Sequence, residues 1–271
     1  MSVLVSSNGV IFTESEVRLP VSDRGFLFGD GVFTSLRVKD GAPENILKHL
    51  ERLNKDCRAI KIIPPEITLQ WIDDFIIANN ALKGCWRLKI IITGGMSKEL
   101  SLKERQAGNV LMVMSKYTKE ELNPCRLCLY PSPVVTPTAK IKTLAYLNRL
   151  YIKDYAADCG FSDSLTVDFQ GNILESAFSN IFWVVDDVLY TPSEDLPLLS
   201  GTFLTSVLEE ALKNNISVVQ VRAHLEDIPP NAAVFICNAL TGIQPVDSIE
   251  DRVFSQSRCI TLFNAFQNSG Y

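Results

Sequence analysis

Apolar residues alternate with polar ones, or gather in short blocks, along most of the chain, and the spacing divides it into strands and helices. Val3–Val5, Val10–Thr13 and Val32–Val38 read as strands. Helical spacing follows over about Asn45–Ile60 and Thr68–Asn79, then apolar strands over Arg87–Thr93 and Asn109–Met114. The charged stretch Ser115–Pro124 ends in Asn-Pro and reads as a linker. Beyond it, Arg126–Val135 reads as a strand and Tyr146–Asp158 as a helix with Leu147, Leu150, Tyr151 and Tyr155 on one face, stopped by Cys159-Gly160. Strands are predicted at Ser164–Asp168, Ile173–Glu175, Asn180–Val185 and Val188–Tyr190, with a turn over Asp168–Asn172. Phe203–Lys213 reads as a helix, Ser217–Val221, Ala233–Asn238 and Ile243–Val246 as strands, and Phe254–Gln267 as a terminal helix. The pattern predicts an α/β protein of the α+β type in two domains, 1–117 and 125–271, joined by a linker over 118–124.

Composition narrows the function classes. The 271 residues are 46% apolar and 21% charged, a globular balance. A net charge of −5 gives no reason to expect a nucleic-acid or anionic-membrane partner. No apolar run reaches the roughly 18–20 residues of a membrane span, and the start, Met-Ser-Val-Leu-Val-Ser-Ser, lacks the basic and apolar regions of a signal peptide. A cytoplasmic protein is the expectation. Seven cysteines, an odd number, argue against a disulfide framework. Cys125 and Cys128 form a C-x-x-C, but on a strand that spacing turns the two side chains to opposite faces. With no second pair and only His49 and His224 as histidines, buried reduced thiols are the better reading and no metal site is expected.

Four short segments carry chemistry. They are Ser22-Asp-Arg-Gly-Phe-Leu-Phe-Gly-Asp-Gly-Val-Phe-Thr34, His49-Leu-Glu-Arg-Leu53, Lys142-Thr-Leu-Ala-Tyr-Leu-Asn148 and Gly171-Asn-Ile-Leu-Glu-Ser-Ala-Phe-Ser-Asn-Ile-Phe-Trp183. In this order they resemble the fold type IV pyridoxal-phosphate (PLP) enzymes, the class IV aminotransferase family. That family includes branched-chain and D-amino-acid aminotransferases and aminodeoxychorismate lyases. The resemblance implies a two-domain, D-amino-acid-aminotransferase-like fold, PLP as cofactor, and a homodimer.

It also implies roles for individual residues. Lys142 matches the lysine whose neutral amine condenses with the cofactor aldehyde and later moves a proton. The rival Lys140 does not align with the motif, and Ala145 stands where relatives often carry Asn. Glu175 matches the carboxylate that keeps the ring nitrogen protonated, with Ser179 and Asn180 as supports near the ring. Arg52 matches the phosphate-binding arginine, a role for which a guanidinium supplies charge-assisted contacts. Gly201, Thr202 and Phe203 open a helix whose N-terminus suits a phosphate. Phe203 and Leu204 replace the Thr-Arg that relatives often have there.

Two positions distinguish the subgroups. Thr34 stands where aminotransferases of this fold usually carry glutamate and the lyases carry threonine. Cys237-Asn-Ala-Leu240, with Asn238 and Ala239 at the cofactor, resembles the lyases' Cys-Asn-(Ala/Ser)-Leu. The chain is most similar to the aminodeoxychorismate lyases, which implies 4-amino-4-deoxychorismate as substrate, 4-aminobenzoate and pyruvate as products, and a place in folate synthesis. Lys142 and Thr34 would then be catalytic, Thr34 helping to deliver a proton to the departing group. An aminotransferase for D- or branched-chain amino acids is the alternative, and a non-catalytic scaffold a third reading. The substrate carries two carboxylates, and no arginine directly follows the strand that ends at Thr93. Lys98, Lys103, Arg105 and Arg87 are the candidate cations.

Overall fold

The structure, a computed structural model, describes residues 4–97, 99–103, 105, 108–118 and 123–255. Packing divides the chain into two compact units, residues 1–120 with 141–146, and residues 121–140 with 147–271.

The first unit contains strands β1 (Leu4–Ser7) and β2 (Val10–Thr13), a short helix α1 (Arg24–Phe28), strands β3 (Gly31–Lys39) and β4 (Ala42–Pro43), helices α2 (Ile46–Ala59) and α3 (Leu69–Ala78), and strands β5 (Cys85–Thr93) and β6 (Val110–Lys116). The strands form an antiparallel sheet in the order β2-β1-β6-β5-β3-β4. Alternation fixes what each face carries. Val32, Leu36 and Val38 on β3, with Leu88, Ile90 and Ile92 on β5, pack against Leu53 and Cys57 of α2 and Ile72, Phe75 and Ile76 of α3. Thr34 lies in that apolar row, 0% exposed.

The sequence pattern does not predict α1. It is too short to show a period, but its ends are legible. Asp23 accepts a hydrogen bond from Gly25 N at 2.8 Å, and Gly29 ends the helix at φ 64°, where a side chain would be strained and a Cβ would lie 2.9 Å from Ala145 backbone.

The second unit contains β7 (Cys125–Leu129), α4 (Leu147–Asp158), β8 (Asp163–Val167), β9 (Ile173–Ser176), β10 (Asn180–Val185), β11 (Val188–Pro192), α5 (Thr202–Lys213), β12 (Ser217–Val221), a 3-10 turn (Leu225–Asp227), β13 (Ala233–Asn238), β14 (Gly242–Ile249) and β15 (Arg252–Val253). The strand order is β12-β11-β10-β13-β14-β7-β8-β9, and β9 also pairs with β10, so the path from β10 round to β9 closes. Ile181 and Trp183 of β10 and Val234 and Ile236 of β13 point into one apolar cluster with Leu127, Leu165 and Val246. The intervening Phe182, Val184, Phe235 and Cys237 point the other way, onto Phe203, Val207 and Ala211 of α5. Both strands are buried on both faces, which accounts for their near-continuous apolar text.

Three expectations change. The strand predicted over 126–135 stops at Leu129, because Pro131 and Pro133 have no N–H to continue a ladder. On α4 the buried residues are Ile152 and Ala156, while Leu147, Leu150 and Tyr151 are 64%, 48% and 64% exposed. Lys142, expected in the second domain, belongs to the first unit. Val32 bridges Thr143, Phe33 N donates to Lys142 O at 2.9 Å, and Leu144 N donates to Gly31 O at 2.9 Å. The terminal helix predicted over 254–267 and Cys259 lie, from residue 256 on, outside the described residues. Cys125 and Cys128 are free, buried thiols, and burial raises the Cys125 pKa to about 12. Among the described residues no helix is long and apolar enough to cross a membrane.

Candidate active site

In the first unit the site is assembled by β3, α2 and the segment 141–146. The backbone bonds to Gly31 and Phe33 hold Lys142 on one side, and its N–H donates to Asp56 Oδ2 at 3.2 Å on the other. Its side chain is half-buried, with Nζ 4.8 Å from the Phe33 ring centroid and 5.3 Å from that of Tyr146. The two rings meet edge-on at 5.1 Å. The amine is thus placed by aromatic contact in a segment bonded to the edge of β3, an arrangement that suits a positioned nucleophile.

Phe33 and Thr34 alternate to opposite faces of β3. Thr34 Oγ1 lies 2.6 Å from His49 Nδ1 and accepts from Arg52 Nη2 at 2.8 Å. His49, Arg52 and Asp56 recur at three and four residues, so α2 presents them as one stripe. Burial first, then Arg52 and Lys142, lower the His49 pKa to about 3, so the imidazole is neutral. Burial raises the Asp56 pKa, opposed by the Lys142 N–H and by Arg52. Arg52 Nε is buried without a hydrogen-bond partner among the described residues. An anion is the group that would satisfy it.

The family resemblance implies a part for Thr34 in proton delivery. In this structure its hydroxyl contacts His49 and Arg52. His49 opens one of the four motif segments without a role being implied for it, and Asp56 lies outside them; their spacing from Arg52 is the signal in the sequence that joins the three.

Of the candidate cations, Lys98 lies outside the described residues and Lys103 is exposed. Arg105 is committed to Asp30 at 2.6 Å and to the Ile60 carbonyl. Arg87 is exposed, opposite Arg37 in register. Lys89, which no motif in the sequence singles out, is half-buried with Nζ 4.4 Å from the centroid of the Phe33 ring that Lys142 also approaches. Burial, then Arg87, lowers its pKa.

In the second unit Glu175 lies near the end of β9, 4% exposed. Its Oε1 accepts from the Arg149 guanidinium of α4 and from Leu199 N at 3.2 Å. Asn180, its cross-strand partner, donates to Leu199 O at 2.8 Å. Leu199 is thus held at both backbone groups, and two residues later Gly201 opens α5 with no side-chain cap. A Cβ at Gly201 would collide with Asn180 Oδ1, so glycine is required for the helix start to come this close. Ser179 Oγ accepts from Asn238 Nδ2 at 2.9 Å, and Asn238 Oδ1 takes the N–H groups of Leu240 and Thr241, each at 2.9 Å, shaping the turn around Ala239. The structure therefore brings Glu175, Ser179, Asn180, Gly201 and Asn238 together at one end of the strands. Phe203 turns its side chain into the core, which leaves only its backbone for a ligand. Nothing in the sequence marks Arg149, because only folding brings it to Glu175.

The sequence profile of the family described as amino-transferase class IV matches residues 31–249. The chain belongs to that family. Pyridoxal phosphate is the cofactor this class IV membership implies, and chains of the same fold have been solved in PLP-bound form. Each unit holds residues that fit such a group: in the first, a half-buried lysine amine against aromatic rings and an arginine Nε without an acceptor among the described residues; in the second, a buried carboxylate and a helix start without a side-chain cap.

Among relatives, a Bacillus subtilis aminodeoxychorismate lyase is 27% identical over 266 residues, covering 92% of this chain and 87% of its own. A Methanocaldococcus jannaschii protein provisionally named a branched-chain-amino-acid aminotransferase is 27% identical over 259 residues, covering 93% and 89%. A solved Legionella pneumophila chain, provisionally named a 4-amino-4-deoxychorismate lyase, is 26% identical with a TM-score of 0.83, covering 93% of this chain and 96% of its own. Class IV membership fixes the fold as type IV and leaves lyase and aminotransferase chemistry as the two candidates.

Proposed function

We propose that this class IV enzyme is an aminodeoxychorismate lyase that converts 4-amino-4-deoxychorismate to 4-aminobenzoate and pyruvate in folate synthesis, and that it acts as a homodimer in the cytoplasm. The observation that carries the reading past an aminotransferase is Thr34. It places a small hydroxyl, 0% exposed between His49 and Arg52, where an aminotransferase of this fold carries a carboxylate. The Cys237–Leu240 text and the Bacillus subtilis relative support it.

When bound, pyridoxal phosphate supplies an electron sink for the charge that develops on the substrate carbon. Lys142 would hold the cofactor aldehyde through its amine. That same amine, as neutral base, would take the proton from C4 of the substrate. Glu175, kept in place by Arg149 and Leu199 N, would keep a proton on the ring nitrogen. Arg52 and the start of α5 would take the phosphate. Lys89 would hold a substrate carboxylate on the Phe33 side of β3. The enolpyruvyl group would leave from C3 and take up the proton that Lys142 removed from C4, giving pyruvate, with aromatisation driving the step. The exposed Leu147, Leu150 and Tyr151 on α4 are apolar surface of the kind a second copy covers.

The test is to supply PLP and freshly generated 4-amino-4-deoxychorismate and follow 4-aminobenzoate by fluorescence. Rapid formation that Lys142→Ala abolishes is expected. No product, together with amino-group transfer from an amino acid to 2-oxoglutarate, would replace the lyase reading with the aminotransferase one. Sedimentation velocity at micromolar concentration tests the dimer.

A further inference from the structure

Three side chains of the first unit, Thr34 and His49 buried and Arg52 partly so, form a hydrogen-bonded chain. Arg52 can only donate, so Thr34 Oγ1 accepts at 2.8 Å. The remaining proton of the hydroxyl has His49 Nδ1 at 2.6 Å. Neutral imidazole offers one unprotonated nitrogen, and in the tautomer that leaves Nδ1 unprotonated the hydroxyl donates there. In that tautomer Arg52 gives to Thr34 and Thr34 gives to His49. His49 sits one turn before Arg52 on α2, so the chain starts and ends on the same helix and is anchored in the middle by β3. It fixes one side of the guanidinium, while Nε stays without an acceptor.

We propose that His49 and Thr34 are positioning residues that act through Arg52. They aim its guanidinium at the cofactor phosphate, and the hydroxyl proton stays on Thr34, directed at His49 Nδ1, and is not passed to the substrate. This rests on the phosphate-binding part assigned to Arg52 above and deepens it. The physical content is pre-organisation. A flexible arginine loses side-chain freedom on gripping a phosphate, and one already held by a neutral partner loses less. A neutral holder suits the task better than a carboxylate, which would partly neutralise the guanidinium.

The phosphate itself provides the control. Pyridoxal lacks it and shares the rest of the cofactor. Equilibrium dissociation of pyridoxal phosphate and of pyridoxal would be measured for wild type and for Arg52→Gln, Thr34→Val, Thr34→Ser, His49→Leu and His49→Asn. Arg52→Gln should reduce the preference for the phosphorylated form about 100-fold, the loss of a charged contact. Thr34→Val and His49→Leu should each reduce it about 10-fold, with pyridoxal binding unchanged. Thr34→Ser and His49→Asn, whose amide can occupy the Nδ1 position, should stay within about 3-fold of wild type. If Arg52→Gln lowers the preference and Thr34→Val and His49→Leu do not, the positioning idea falls while Arg52 keeps its role. If Arg52→Gln leaves it unchanged, the phosphate assignment falls and the inference with it. Equal weakening of both ligands in Thr34→Val or His49→Leu would mean general loosening and overturn the proposal. Should the leucine variant fail to fold, Thr34→Val carries the same prediction. The direction of the chain is read separately by ¹⁵N NMR of labelled histidine, which is simple here because the chain has two histidines. An unprotonated His49 Nδ1 is expected, and a protonated one reverses the chain and sinks the retained-proton part.

Discussion

Lys142 and Phe33 are joined twice, once through the backbone at 2.9 Å and once by Nζ lying 4.8 Å from the ring centroid. The strand that carries the ring therefore also sets the height of the amine. Lys142→Ala should lose at least about 1,000-fold in turnover, since both the covalent hold and the proton carrier go. Borohydride reduction should then fail to attach the cofactor to the protein, which mass spectrometry reads directly. Phe33→Leu should keep the attachment and slow turnover about 10-fold by misplacing the amine.

Glu175→Gln leaves the Arg149 guanidinium without its carboxylate in a mostly buried setting. Breaking such a pair costs about 3–5 kcal/mol when both groups are fully buried, and about 2 kcal/mol is expected here because Arg149 retains some solvent contact. Urea unfolding of the cofactor-free protein measures it. A larger effect is expected on turnover, about 100-fold or more, because an amide cannot hold the ring nitrogen in its charged form. Unchanged turnover would remove Glu175 from the ring nitrogen.

The depressed pKa of His49 makes stability depend on pH in a definite direction. Its folded value, about 3, lies below the ordinary 6.5. The unfolded chain therefore binds more protons between those two values, and stability falls as pH drops through that window, by up to about 1.4 kcal/mol per unit from this group. Asp56 and Asp163, whose pKa values are raised by burial, act in the opposite sense near the carboxylate range. The difference between wild type and His49→Asn isolates the histidine. Denaturant midpoints from pH 7.5 to 5 should converge as pH falls.

Gly201 and Asn180 make a separable pair. Gly201→Ala forces a methyl into Asn180 Oδ1 and should cost about 2 kcal/mol while weakening binding of pyridoxal phosphate. Asn180→Ala removes the obstacle along with the bond to Leu199 O. The double variant should be less damaged than the two single losses sum to, and a double-mutant cycle on thermal midpoints reads the difference. Additive effects would mean that the helix start is not set by this contact.

Lys89→Gln should raise KM for 4-amino-4-deoxychorismate about 10-fold or more and leave cofactor affinity alone. An unchanged KM would return the carboxylate question to the cations near residues 98–105.

Helices α2 and α3 and strands β3, β5 and β10 are legible in the sequence because period and burial agree there. Helix α4 misleads because its apolar residues Leu147, Leu150 and Tyr151 form a face turned to solvent, while small Ala156 and Ile152 make the buried contact. Periodicity reports which residues share a face, and it is silent on where the face points. The motif residues of the second unit stand out because they are local in sequence. Arg149 and Lys89 do not, since each acquires its meaning from a ring or carboxylate far along the chain. Thr34 is conspicuous for its identity, but its contacts with His49 and Arg52 come only with the fold.

Strand β9 has only four residues, yet it pairs with β8 on one side and β10 on the other, closing the path of strands. A strand so short at a free edge would fray on the timescale of local opening. Held instead by β8, by the Glu175–Asn180 pair, and by Ile173 N donating to Ala223 O and Ser176 N to Ser179 O, it should exchange its bonded amides more slowly than a free edge would, so Glu175 is expected on a slow-exchanging segment of this unit.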